Sequence, residues 1–321
     1  MRYSRREFAA LTFAGLPAPW LPPSARLFAQ ARIESRINGV QIGAITYSFR
    51  TIPNAQDILT AYQTIGLGEM ELMSNHAEAL AGAPGGGGGG GGRRGRGAPT
   101  PGEQAARDAA AKVLHDWRMS ASAATFAPVR KKIEDAGIEL RLLCYNMNVR
   151  NTKDDEIEYA FTMAEWLGVK AISTSTQVSM AKRLAPFADK HKMLVGFHGH
   201  ANTTDPDEVA KPESFAAVMA ASKYHAANLD IGHYIEAGYD PVAFIQQHHA
   251  RITNLHLKDK KKASNGGGNT PWGQGDTPIK AVLKLLQKNK WDIPANIEFE
   301  YEGDPLVEVP KCLRQCKEAL A

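Results

Sequence analysis

Histidines and acids recur at alternating positions in four segments of the chain. They are Val195-Gly-Phe-His198-Gly-His200, Asn228-Leu-Asp230 with His233 three residues on, Asn254-Leu-His256-Leu-Lys258, and Ile297-Glu298-Phe-Glu300. Imidazole and carboxylate donors in combination suit a divalent Mn, Co, Fe, Ni or Zn ion. In an extended strand alternate residues share a face, so His198 and His200 point one way, as do Glu298 and Glu300. Spacing alone leaves open which member of each pair would bind. A single strand histidine is commonly a core residue, and Asp230 could cap the turn that follows it. Four coincident strand ends are harder to read that way, because a carboxylate turned into an apolar interior needs a partner.

These segments are the last four of eight short apolar, β-branched runs, near 41–47, 69–73, 139–145, 170–174, 193–198, 226–230, 252–257 and 295–301. Helical periodicity lies between them, clearest at 55–65, 124–136, 154–167, 179–190, 240–249, 277–289 and 305–319. Gly66, Gly137 and Gly168 each follow a helical stretch, where a left-handed cap is wanted. Eight such units predict a single-domain α/β fold over 38–320, a (β/α)8 TIM barrel, with its chemistry at the C-terminal ends of the strands. A doubly wound sheet would need a phosphate loop or dinucleotide fingerprint, and neither is present. Residues 82–100 break the rhythm: Gly85 to Gly92 is unbroken glycine and three arginines follow. Such a segment cannot offset its ordering entropy by burial and is expected to be a disordered insertion.

The first 31 residues read as an address. Ser4-Arg-Arg-Glu-Phe8 precedes an apolar run, and Ala29-Gln-Ala31 fits a cleavage site, so a twin-arginine export signal and a periplasmic location are expected. The chain is formally +4, but this leader holds four basic residues and one acid, which leaves the body near neutral. That argues against a nucleic-acid partner. No apolar stretch is long enough to span a bilayer, so no stable membrane insertion is expected once the signal is removed. The three cysteines cannot build a disulfide framework; Cys312 and Cys316, at i,i+4, are expected to pack.

The segment Asn228-Leu-Asp-Ile-Gly-His-Tyr-Ile-Glu-Ala-Gly238, followed by Asp240-Pro and Arg251-Ile-Thr-Asn-Leu-His-Leu-Lys-Asp259, resembles the sugar phosphate isomerase/epimerase superfamily, the xylose isomerase-like barrels. Inosose dehydratase and the ketose 3-epimerases belong to it. Pro271-Trp-Gly-Gln-Gly-Asp276, Ile42-Gly-Ala-Ile-Thr-Tyr-Ser-Phe49 and Gly66-Leu-Gly-Glu-Met-Glu-Leu72 extend the likeness over 38–320. The resemblance implies one metal ligand from each of strands five to eight: His198 (or His200), Asp230, His256 and Glu298 (or Glu300). Ketose epimerases commonly carry a glutamate where this chain has the strand-five histidine. That removes one carboxylate, disfavours a symmetric two-carboxylate epimerisation, and leaves a more electrophilic metal.

The expected activity is proton abstraction α to a carbonyl on a small carbohydrate or polyol. The outcome is isomerisation, epimerisation or elimination from an oxidised sugar such as a 3-keto-glycoside. Glu298 or Glu300 is the candidate base. His233, by the resemblance, is a hydroxyl contact or proton shuttle, and Lys258 is a candidate to steady an enolate. Glu71 and Asn146 are candidate substrate contacts, and Trp272 a platform for a sugar ring. Two other readings stand beside this one. A sugar-binding barrel without catalysis would be expected to lose ligands. A hydrolase of the endonuclease IV type would need ligands on other strands, yet strand four ends Ile172-Ser-Thr-Ser-Thr176.

Overall fold

A computed structural model describes residues 31–85 and 99–321. The expected export signal, apart from Ala31, lies outside the described residues, as do 86–98 of the expected insertion. Eight parallel strands run in sequence order: β1 (Val40–Ile45), β2 (Glu69–Met73), β3 (Glu139–Cys144), β4 (Ala171–Thr174), β5 (Leu194–His198), β6 (His225–Asp230), β7 (Ile252–Leu257) and β8 (Ala295–Ile297). The sheet closes where β1 pairs with β8, Ile42 opposite Ala295 and Ala44 opposite Ile297. The expected barrel is therefore the fold, and closure removes every edge from the ring. A two-residue antiparallel strand, Arg36–Ile37, leads into β1.

Helices surround the ring: α1 (Ala55–Ile65), α2 (Ser74–Leu80), α3 (Pro101–Ser120), α4 (Ala123–Asp135), α5 (Asp154–Leu167), α6 (Met180–His191), α7 (Pro212–Ala220), α8 (Ile231–Glu236), α9 (Pro241–His248), α10 (Ile279–Asn289) and α11 (Pro305–Leu320). Local chemistry sets their ends. Asn54 caps α1 through the Gln56 amide, and Gly66 ends it with φ +85°. Thr100 and Glu103 form a reciprocal capping box that starts α3. Thr100, read from sequence as part of the disordered insertion, is thus a helix cap. Strand eight is shorter than expected, and 298–300 leave the ladder.

Strand residues that face the helices are buried with Tyr62, Phe126, Phe161, Phe197 and Phe215, each fully enclosed. Burying one such ring contributes roughly 2–3 kcal/mol. Among the described residues, no helix is long and apolar enough to cross a membrane.

Register stacks the interior in layers. His198 stands opposite Asn228, Asp230 opposite His256, and His256 opposite Asn296. One pleat below the strand-end residues lie Asn228, Asn254 and Asn296, all enclosed. Polar side chains therefore line the upper barrel where a purely structural barrel would carry aliphatic ones.

Candidate metal centre

The strand ends deliver four side chains to one point. His198 closes β5, Asp230 closes β6, His256 is the penultimate residue of β7, and Glu298 follows β8. Each offers one ligand atom, and the four atoms lie within 4.8 Å of one another in a buried cluster. His198 Nδ1, Asp230 Oδ2, His256 Nδ1 and Glu298 Oε2 are all buried without an aligned hydrogen-bond partner. His198 Nδ1 has no partner, and the other three atoms meet only one another and the Lys258 ammonium, so the two converging nitrogens and two oxygens form a donor set that fits a divalent ion.

Each ligand is held from its other side. Asp230 Oδ1 accepts the His233 amide at 2.8 Å and caps α8, leaving Oδ2 for the cluster. His256 Nε2 meets Glu71 Oε2 at 2.7 Å, which turns Nδ1 toward Glu298 at 2.9 Å. A carboxylate behind a histidine fixes its tautomer and its aim. Glu71 is itself gripped by the layer below: Asn254 and Asn296 donate to its Oε2 at 2.8 and 3.2 Å, Asn228 donates to its Oε1 at 3.5 Å, and the Ser173 hydroxyl makes a short bond to the same Oε1.

The charges follow from this packing. Burial, then the neighbouring His256 and His200, pull His198 well below the ordinary histidine range, so its lone pair is free. Burial also opposes charge on His256, but Glu71 and Glu298 outweigh it and raise its pKa well above normal. Lys258 Nζ lies 2.9 Å from both Asp230 Oδ2 and Glu298 Oε2 and 2.6 Å from Glu300 Oε2. Burial pushes Glu298 up, yet Lys258 and His256 hold it well below the carboxylate range. Asp230 is pushed up, mainly by burial.

Above the cluster opens a cavity of about 900 Å³, lined by Tyr47, Arg50, Asn146, His200, His233 and Glu300 among others. A sugar ring fits a space of this size. His200 stays out of the metal cluster: Glu208 Oε1 holds its Nδ1 at 2.7 Å, and Nε2 meets Ser175 Oγ at 3.1 Å. His233 lines the cavity with its Nδ1 unpartnered, kept neutral by burial and by Lys258 and Lys260. Asn146 also lines the cavity, its Oδ1 accepting the Ser175 amide at 2.8 Å.

Two expected substrate contacts are corrected. Glu71 is fully enclosed beneath the cluster and spends both oxygens on protein donors, so it positions His256 and cannot reach a sugar. Trp272 packs in the apolar core rather than on the cavity wall. Asp259 accepts the Gly273 and Gly275 amides at 2.8 and 3.0 Å, which folds that loop inward, and Gln315 binds the Trp272 carbonyl. Sequence reasoning missed Arg50, Ser175 and Glu208. Glu208 lies on a loop with no strand pattern, held by an isolated bridge to Gln177 that leaves no mark in the sequence.

Comparison with known proteins agrees with the barrel fold. The family described as "Xylose isomerase-like TIM barrel" matches residues 108–316. The inosose dehydratase of Clostridium beijerinckii is 26% identical over 172 residues, 48% of this chain and 53% of that protein. The chain spans about half the length of the curated relatives it matches. Among solved structures, the probable 3-DHS dehydratase AsbF of Bacillus anthracis superposes with a TM-score of 0.59 at 16% identity, covering 88% of this chain and 98% of that one. The IolI protein with a bound zinc atom gives 0.57 at 13% identity, covering 87% and 96%.

Proposed function

Because the chain belongs to the xylose isomerase-like TIM barrel family, we propose that it is a metal-dependent lyase that eliminates water from a keto-carbohydrate or keto-polyol. The observation that carries this reading is the convergence of four buried donor atoms, two histidine nitrogens and two carboxylate oxygens, at the floor of a sugar-sized cavity. His198, Asp230, His256 and Glu298 would hold a divalent cation, which when bound polarises a substrate carbonyl and acidifies the adjacent C–H.

The chain's own residues then divide the proton work. Glu300 lines the cavity and carries Lys258 on its Oε2. It takes the proton from the carbon α to the carbonyl, and Lys258 stabilises the negative charge that passes to the substrate oxygen. His200, oriented by Glu208, presents Nε2 beside Ser175. It delivers a proton to the departing β-hydroxyl. The α C–H and β C–O bonds break, a C=C bond forms in conjugation with the carbonyl, and water leaves. The two groups reach the rim from β5 and β8, three places apart in the ring. The name inosose dehydratase, carried by the curated relatives, supports elimination over isomerisation.

The test pairs metal content with turnover. Purified protein should contain about one transition metal per chain, lost in His256→Ala and Asp230→Ala. Incubation with inososes and 3-keto-sugars in deuterium oxide should yield an unsaturated ketone. Retention of full activity after exhaustive chelation would sink the metal-dependent reading. Solvent deuterium at the α carbon without loss of water would make the enzyme an isomerase or epimerase instead.

A further inference from the structure

The cations around the cavity are not all served alike. Lys258 sits on three carboxylates, and Lys260 Nζ lies 2.9 Å from Glu236 Oε2. Glu236 is itself fixed, its Oε1 accepting the Gly268 amide at 2.7 Å. Arg50 also lines the cavity, one residue past the 3-10 turn Thr46–Phe49 that follows β1. Among the described residues, no carboxylate pairs with it. Its Nη1 donates to the main-chain carbonyls of Tyr47 and Phe299. Its guanidinium carbon lies 4.9 Å from the Tyr47 ring centroid and 5.7 Å from that of Phe299. Those contacts hold the guanidinium plane in place. They leave Nε and Nη2 donating to no described residue.

A half-buried guanidinium with a free two-nitrogen edge is a pre-organised receptor for a planar oxyanion. We infer that Arg50 selects a substrate bearing a carboxylate, so that the carbohydrate is a sugar acid such as a uronate or a keto-aldonate. One unpaired positive charge matches a monoanion. A phosphate dianion would call for a second free cation, and both cavity lysines are already engaged. The inference rests on the proposed role of this cavity as the substrate site, and it makes Arg50 a specificity residue rather than part of the proton chemistry.

Calorimetric titration of the purified full chain tests it. D-glucuronate is compared with D-glucose, D-galacturonate with D-galactose, and D-glucose 6-phosphate is added as a third arm. A charge-assisted fork should make each uronate bind about 10- to 100-fold tighter than its neutral partner. In Arg50→Gln that ratio should fall to near one. In Arg50→Lys, which keeps the charge and loses the fork, it should be intermediate, and this variant serves if Arg50→Gln fails to fold. Equal affinity within each pair, absent binding of both included, overturns the inference. So does a uronate preference that survives in Arg50→Gln, which would place the carboxylate on the metal. Tighter binding of the phosphate would overturn it in favour of phosphorylated sugars. Metal content assayed on the same samples keeps the two proposals apart: loss of the metal reading leaves the uronate ratio readable, and a flat ratio in metal-loaded protein fails Arg50 alone.

Discussion

Glu69 and Glu71 share a strand and complete burial, and the protein treats them oppositely. Glu71 accepts hydrogen bonds from Ser173, Asn228, Asn254, Asn296 and His256. Glu69 has no aligned partner for either oxygen. Burial, reinforced by Glu71, raises the Glu69 pKa well above normal, and Arg141 and Asn296 pull the other way without reversing it. The space for this second acid comes from Gly43, where an added Cβ would lie 1.6 Å from Glu69 Oε2. Burial strips water from both; Glu71 is given protein donors in its place, whereas Glu69 is left without them and is driven toward the neutral acid.

Removing Glu71 should break that comparison most severely. Glu71→Ala strands three amide donors, a hydroxyl and an imidazole N–H, and should cost about 3–5 kcal/mol in urea denaturation. The milder Glu71→Gln should fold and lose about 10- to 100-fold in metal affinity, read by competition with a chromophoric chelator. A Glu71→Ala variant as stable as wild type would show that the layer under the cluster does not need its acceptor.

Arg118 asks whether a third buried acid needs its cation. It holds Glu78 through Nε at 2.8 Å and Glu156 through Nη1 at 3.0 Å, and so ties the end of α3 to the barrel. Arg118→Met should cost about 3 kcal/mol, because Glu78 is left buried without its cation. Little change in the melting temperature would mean that Glu78 is satisfied by the Tyr159 hydroxyl at 3.2 Å.

Glu69→Gln sharpens the other half, with a defined sign. A raised folded pKa means that unfolding releases a proton once the pH exceeds the ordinary glutamate value. Wild-type stability is therefore full below about pH 4.5 and falls as pH climbs toward the folded pKa, by up to about 1.4 kcal/mol per unit. Glu69→Gln should match wild type at pH 4 and surpass it progressively toward pH 8. Parallel stability curves would show that Glu69 is ionised in the fold. The smallest effect belongs to the surface, where Lys131 and Asp135 pair at 2.7 Å in solvent. Lys131→Ala should change stability by no more than about 0.5 kcal/mol.

How much of this was legible in the sequence depends on how local each signal is. The barrel was readable because strand alternation, helical periodicity and glycine caps are written within windows of ten or fifteen residues. The strand ends His198, Asp230, His256 and Glu298 stood out for the same reason, and they are the residues that the barrel brings together. Glu71 was visible as a strand-end acid, but its partners arrive from four other strands, 102 to 225 residues away, so nothing nearby distinguishes an anchor from a sugar contact. The pairing of His200 with Glu208 depends on a loop path. The helix Pro101–Ser120 carried a local signal in Thr100 and Glu103 but buries no residue fully, so it lacked the apolar stripe that marks the others.

Asp230 has two employments, one oxygen on the helix that follows and one in the cluster. An evolutionary reading follows. A descendant without a metal at this point would still be selected to retain Asp230 for the turn and Glu71 for the donors it satisfies, whereas His198, whose Nδ1 has no protein partner, would be released to drift. In judging whether a distant homologue could hold a cation at this point, His198 is therefore the more telling marker, and an intact Asp230 on its own says little.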